Sequence, residues 1–201
     1  LQFDNWEQSA PGLARSYELL GLLGDPQKKL KFVHIAGTNG KGSTAAMLTS
    51  VLQSAGYRTG LYTSPHLLRF HERMRVNGKE IDDKSLISLT NTVRNAAERM
   101  SEMPTGVEIM TAIAFLYFVQ ERCDIVSLEV GLGGRMDSTN VIPAPEVCVV
   151  ANIGLEHTAI LGDTVEKIAA EKCGIIKRGS HAVLFGQSEG VENVAREKCA
   201  Q

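Results

Sequence analysis

The stretch Phe32-Val33-His34-Ile35-Ala36-Gly37-Thr38-Asn39-Gly40-Lys41-Gly42-Ser43 decides the fold. Lys31 to Ala36 is a short apolar run around Phe32, Val33 and Ile35, and it predicts a strand. Lys41 to Ala55 carries Met47, Leu48, Val51, Leu52 and Ala55 at helical spacing, with Gly56 beyond its end. A strand, a glycine-rich turn and a helix in that order form the frame of a phosphate cradle. Glycines let successive backbone N–H groups converge on one point. Lys41 adds a positive charge for β- and γ-phosphates, and the Ser43 hydroxyl offers a ligand for Mg²⁺. The fit to G-x-x-x-x-G-K-[ST] is imperfect. Ile35 stands at the first glycine position, and Gly42 stands at the Ser/Thr position, so the hydroxyl moves to Ser43. The plain alternative is a glycine-rich turn with a surface lysine. Strand, Lys41, Ser43 and helix together favour phosphate.

Outward from this stretch, short apolar runs alternate with longer helical patterns. That order predicts an α/β fold, a mostly parallel sheet flanked by helices. Helices are expected at Gly12 to Leu23 (apolar at Leu13, Tyr17 and Leu20), Asp83 to Met100, Thr105 to Phe118, Val165 to Cys173 and Val191 to Lys198. Thr105-x-x-Glu108 is a capping box, and Asp163-x-x-Glu166 resembles one. Strands are expected at Arg58 to Thr63, Asp124 to Val130, Glu146 to Ala151 and His181 to Phe185, with a hairpin turning at Asn77-Gly78. Ser64 to Ile81 interrupts the alternation with a polar excursion, which in a compact domain is usually functional.

Composition narrows the function. The 201 residues are 43% hydrophobic and 22% charged, enough apolar material for a core. Lys and Arg number 21 against 23 Asp and Glu, so the basic surplus of a nucleic-acid binder is lacking. No apolar run approaches the roughly 20 residues of a membrane span. The N-terminal Leu1 to Trp6 is polar and lacks a signal-peptide core. Cys123, Cys148, Cys173 and Cys199 have neither C-x-x-C nor zinc-finger spacing, and read as free thiols. These features predict a cytoplasmic monomer with no nucleic-acid or membrane partner. Residue 1 is Leu, and the last helical pattern meets no stop signal before Gln201, so the chain is expected to be a fragment.

Three further residues carry chemistry. Glu129 ends the apolar run Ile125-Val126-Ser127-Leu128, where open α/β sheets place ligands. It reads equally as a metal ligand or as a partner of Arg135. His157 follows another strand end, and by position alone reads as structural. Lys172 falls seven residues after Val165 on the apolar stripe of its helix. It either snorkels to solvent or is a desolvated amine able to take up CO₂. In the excursion, Ser64, Pro65, His66, Arg69, Phe70 and Arg73 suit a ligand with carboxylates and a flat ring, or simply form a solvated loop.

The loop Gly37 to Ser43 resembles that of the Mur-ligase superfamily, and its Gly-Ser ending resembles the folylpolyglutamate synthase/dihydrofolate synthase family within it. The resemblance continues in Leu61-Tyr62-Thr63-Ser64-Pro65-His66-Leu67, in Arg69 to Arg73, in Glu129 to Asn140, in Ile153 to Gly162 and in Lys172-x-Gly174-Ile175-Ile176-Lys177. It departs at Glu156, where the family usually has Asp, and at Val107, where an aromatic is usual. The resemblance implies a P-loop NTPase-like domain of the Mur ligase central type, with residues 1–201 a partial ATP-binding domain and a C-terminal glutamate-binding domain outside the chain. It implies ATP-dependent ligation of L-glutamate to a folate or dihydropteroate carboxylate through an acyl phosphate. Thr38, Asn39, Gly40, Lys41, Gly42 and Ser43 would cradle ATP. Two Mg²⁺ ions would be held by Ser43, Ser64, Glu129 and His157, with K⁺ as a further candidate. Lys172 would act as its carbamate beside Lys41 and His157, and Ser64, Pro65, His66 and Arg73 would meet the acceptor. The alternatives are a Mur-type amino-acid ligase, or a nucleotide-binding module inactive as this fragment.

Overall fold

A computed structural model describes residues 13–201. The Leu1 to Trp6 stretch and the expected Gly12 helix start lie outside the described residues. Helix α1 (Ala14–Leu22) is stopped by Gly24 and Asp25, both at positive φ (77° and 51°), ahead of Pro26. Its buried residues are Ser16, Leu19 and Leu20, while Tyr17 is exposed. Tyr17 lies about 100° round the helix from Ser16, off the inward stripe.

Strand β1 (Phe32–Ala36) leads into α2 (Lys41–Ser54), followed by β2 (Thr59–Tyr62), β3 (Met74–Val76) and β4 (Lys79–Glu80). The hairpin turns at Asn77 and Gly78, both at positive φ, as Asn-Gly predicts. Helices α3 (Asp83–Ala97) and α4 (Gly106–Gln120) come next, then β5 (Ile125–Glu129), β6 (Val147–Val150), α5 (Thr158–Leu161), α6 (Val165–Cys173), β7 (His181–Leu184) and α7 (Glu189–Cys199). Thr105 and Glu108 form the capping box of α4. The cap of α6 is Thr164, whose side chain accepts the Lys167 N–H at 3.2 Å; Asp163 instead pairs with the Lys167 side chain.

Among the described residues the strands form one sheet in the order β4-β3-β2-β5-β1-β6-β7. β2, β5, β1, β6 and β7 are parallel, and β3 and β4 add an antiparallel edge. Alternation along the strands assigns the faces. On one face Phe32, Val126 and Leu128 pack under α1, α3 and α4, with Phe115 edge-on to Phe32 at 5.5 Å. On the same face Ala36, Cys148 and Val150 pack under α6 and α7. The opposite face carries Val33, Ile35 and Leu61 against Ala45 of α2.

The expected apolar face of α2 is corrected. Ala45 and Thr49 point to the sheet, with Leu48 and Leu52 partly covered, whereas Met47 and Val51 are each 64% exposed and Ala55 is exposed. Met47 is two residues from Ala45, about 200° round the helix. Small residues bring the helix axis close to the sheet and leave the larger apolar ones outward.

Candidate active site

The site gathers at the carboxyl end of the parallel strands, where β1 meets α2 and the loops after β2, β5 and β6 converge. Gly40 starts α2 at positive φ (84°), a backbone state that suits glycine. Gly37 permits close approach to the next strand: a Cβ there would lie 2.9 Å from that of Ala151. The loop is tied to the end of β6. Thr38 N–H donates to the Asn152 carbonyl at 2.7 Å, and its hydroxyl sits 3.1 Å from both the Gly154 carbonyl and the Gly154 N–H. Asn39 N–H also reaches the Asn152 carbonyl. Lys41 folds over its own loop, with Nζ 2.9 Å from the Gly37 carbonyl and 3.2 Å from that of Thr38.

Glu129 is 4% exposed and lies on the α2 face of β5, as alternation from Val126 and Leu128 requires. It does not pair with Arg135, which binds Glu171 at 2.8 Å. Its Oε2 accepts the Ser64 N–H at 3.0 Å, and a Cβ on Gly42 would stand 3.4 Å from the same oxygen. Gly42 thus leaves room between the start of α2 and the carboxylate, and a hydroxyl at 42 would encroach on it. Burial raises the Glu129 pKa, against the opposing pull of the Ser64 amide and Lys41. A buried carboxylate at a helix N-terminus, with its other oxygen free of the Ser64 amide, suits a hard cation.

Lys172 is 1% exposed, so it does not snorkel. Its Nζ donates to the Gly37 carbonyl at 2.9 Å and to Glu156 Oε1 at 2.5 Å. Burial lowers its pKa, helped by Lys41 and opposed by Glu156. Burial pushes the Glu156 carboxyl upward, but Lys172 and Lys41 hold it below its usual value. Lys41 and Lys172 thus share one carbonyl, and their ammonium groups face each other across it. His157 is exposed, with a left-handed backbone (φ 45°), beside Glu156 at the start of α5.

The loop from Thr63 to Arg73 leaves the sheet beside Glu129. Its Ser64-Pro65 bond is cis, and Pro65 and His66 are exposed. Arg73 Nε donates to His66 Nδ1 at 2.9 Å, and the guanidinium carbon lies 5.9 Å from the Phe70 ring centre.

The structure therefore brings Thr38 to Ser43, Ser64, Glu129 and Lys172 to one sheet end, with His66 and Arg73 paired on the adjoining loop. Among the described residues, no group of three or more His, Cys, Asp or Glu gathers at one point. Asp137, in the same acidic stretch as Glu129, is a loop brace: it accepts the N–H groups of Leu132 and Thr139 and the Thr139 hydroxyl. Asn152, which holds the loop Gly37 to Ser43, and Asn140, whose amide joins the Arg135 and Gly174 carbonyls, were assigned no role from the sequence. Neither is titratable, and each holds a partner distant in the chain: Asn152 meets Thr38 and Asn39, and Asn140 meets Gly174, 34 residues on.

The Mur ligase middle domain pattern matches residues 35–200. A dihydrofolate synthase/folylpolyglutamate synthase from Bacillus subtilis is 49% identical over 193 residues, covering 93% of this chain and 45% of the relative. The chain thus spans under half the length of that relative. A folylpolyglutamate synthase structure in complex with AMPPCP and folate superposes with a TM-score of 0.93 at 40% identity, covering 96% of this chain and 48% of that one. The apo form of the L. casei enzyme gives 0.92 at 39% identity, with 96% and 48% coverage. With its parallel sheet and loop geometry, this chain belongs to the Mur ligase middle domain family.

Proposed function

We propose that this chain supplies the ATP-binding half of a ligase that joins L-glutamate to a folate or dihydropteroate carboxylate. The observation that carries the reading is the convergence at the end of β1: the buried Glu129 faces Gly42 and Ser64, and Lys41 and Lys172 meet on the Gly37 carbonyl. A relative named for this activity is 49% identical, and a folylpolyglutamate synthase structure shares the fold.

The chemistry asks for charge neutralisation and positioning rather than a protein nucleophile. The Thr38 to Ser43 loop binds the phosphates through the amides that Asn152 does not occupy, those of Gly40 to Ser43, and through the Lys41 ammonium, and holds the γ-phosphoryl group in line with the acceptor. An acceptor carboxylate oxygen attacks γ-phosphorus, ADP leaves, and an acyl phosphate forms. The glutamate amine then attacks the acyl carbon, the C–N bond forms, the C–O bond to phosphate breaks, and the amine loses a proton. Mg²⁺, when bound, neutralises charge on the β- and γ-phosphates. Ser43, Ser64, Glu129 and His157 would hold two such ions, with K⁺ a further candidate. Lys172, whose pKa burial lowers, would lose a proton and take up CO₂ as a carbamate, which replaces the ammonium with an oxygen donor. Ser64, Pro65, His66 and Arg73 would position the acceptor. The protein is read as a cytoplasmic monomer.

The test is transfer of labelled L-glutamate to dihydropteroate and to tetrahydrofolate in parallel, with Mg-ATP and bicarbonate, alongside calorimetric titration with ATP. Product with either acceptor establishes the ligase. ATP binding without product favours the second reading, a nucleotide-binding module that needs the remainder of a longer protein. The 45% coverage of the B. subtilis relative is the observation behind that reading. No ATP binding by the folded chain would sink both.

A further inference from the structure

The loop from Thr63 to Arg73 is closed at its base by the Thr63 N–H donating to the Arg73 carbonyl at 3.1 Å, and by the Ser64 N–H on Glu129. Apolar burial does not order its outer half, because Leu67 and Leu68 are each 89% exposed. A single carboxylate does. Glu72 Oε2 accepts the Leu67 N–H at 2.9 Å, and Oε1 accepts those of Leu68 at 2.9 Å and Arg69 at 2.8 Å. The Glu72 N–H returns a bond to the Arg69 carbonyl at 3.1 Å. These bonds turn the chain back on itself and set His66 against Arg73 at 2.9 Å. The three amides, Leu67 first, hold the Glu72 carboxyl below its usual range, so it stays ionised and keeps accepting near neutral pH.

We infer that Glu72 is a positioning residue for the acceptor, one that fixes His66 and Arg73 in their binding arrangement before the acceptor arrives; this rests on the proposed assignment of the loop to the acceptor. Glu72 itself need not touch substrate. A loop ordered in advance gives up little freedom on binding, whereas a released loop gives it up then and the affinity falls. The phosphate loop is tied to β6 through Thr38 and Asn39; the acceptor loop reaches Glu129 only at its base, through Ser64, and that base is closed by the Thr63–Arg73 bond without the Glu72 side chain, so nucleotide affinity is expected to survive the loss of Glu72.

The experiment measures dihydropteroate and Mg-ADP affinities separately for the chain, Glu72→Ala and Glu72→Gln. Loss of acceptor affinity by about tenfold or more is expected in Glu72→Ala, with Mg-ADP affinity unchanged. Glu72→Gln keeps one accepting oxygen and is expected to fall between. Equal acceptor affinity in the chain and Glu72→Ala overturns the inference and leaves the ligase reading standing. A parallel fall in both affinities also overturns it, as the mark of a merely structural glutamate. If Glu72→Ala does not fold, unchanged acceptor affinity in Glu72→Gln overturns the inference by itself. Absence of dihydropteroate binding in the unaltered chain, with Mg-ADP bound, overturns the acceptor reading and this inference with it.

Discussion

The Lys41 ammonium lies on two carbonyls of its own loop, Gly37 at 2.9 Å and Thr38 at 3.2 Å. It shares the Gly37 carbonyl with Lys172, and in the proposed function it is the loop's own cation for the phosphates. Each hydrogen bond involving a charged partner contributes about 1.5–3 kcal/mol. Lys41→Ala is therefore expected to weaken ATP binding about 10- to 100-fold, and unchanged calorimetric affinity would refute the phosphate-loop assignment. Glu129 gives a separable prediction. Glu129→Gln keeps an oxygen for the Ser64 N–H but loses the charge. It is expected to bind ATP equally well with and without Mg²⁺, whereas the unaltered chain binds more tightly with it. A retained Mg²⁺ effect would remove Glu129 from the metal site. Lys41 and Glu129 were legible in the sequence because a strand end and a helix start place their residues without reference to anything distant. Glu72 and the Lys172–Glu156 pair were not. The Lys172 contact with Gly37 joins positions 135 apart in the chain, and no periodicity encodes such a pairing.

At the scale of elements, order and type follow from periodicity, but orientation follows only where one side is clearly polar. α3, expected from its periodicity, buries Leu89, Val93, Ala96 and Ala97 along one side, because its other side is charged and polar. α2 is apolar around much of its circumference, so composition could not say which side met the sheet; the small Ala45 and Thr49 decided it by letting the backbone approach. Small residues govern a second junction. Gly134, in the loop after β5, lies so close to the end of α6 that a Cβ would fall 2.8 Å from the carbonyl oxygens of both Glu171 and Lys172. The Arg135 N–H donates to the Glu171 carbonyl, and Asn140 ties this loop to Gly174. The neighbours are backbone and cannot swing aside, so strand β5 and helix α6 must separate to admit a methyl group. Gly134→Ala is expected to cost about 1–3 kcal/mol in urea unfolding, and an unaltered midpoint would show that the junction yields freely.

At the scale of the whole molecule, buried titratable groups make stability depend on pH, and His34 at the centre of the sheet dominates the mildly acid range. Its Nε2 lies 2.9 Å from the Thr139 hydroxyl, which itself donates to Asp137. The hydroxyl must therefore accept from His34, so the neutral ring carries its proton on Nε2. Nδ1 has no partner among the described residues. Protonating it would create a buried N–H without an acceptor in a fully buried ring near Lys177, and burial first, then Lys177, lowers the pKa from 6.5 to about 3. The unfolded chain takes up this proton below pH 6.5 and the folded chain does not, so acid favours unfolding. His34 thus supports the fold fully above pH 6.5 and loses that support as pH falls towards about 3. From pH 8 to pH 5 the loss should reach about 2 kcal/mol. Asp137, raised by burial, pulls the other way, since its folded form binds protons more readily. The comparison that isolates His34 is His34→Gln, which keeps a donor for Thr139 and leaves Asp137 in place. It should be less stable at pH 8 yet lose about 2 kcal/mol less than the unaltered chain on acidification to pH 5, read from urea unfolding at both values. Parallel losses in the two proteins would mean that the ring charges in the folded state, and that the sheet centre admits an acceptor for Nδ1.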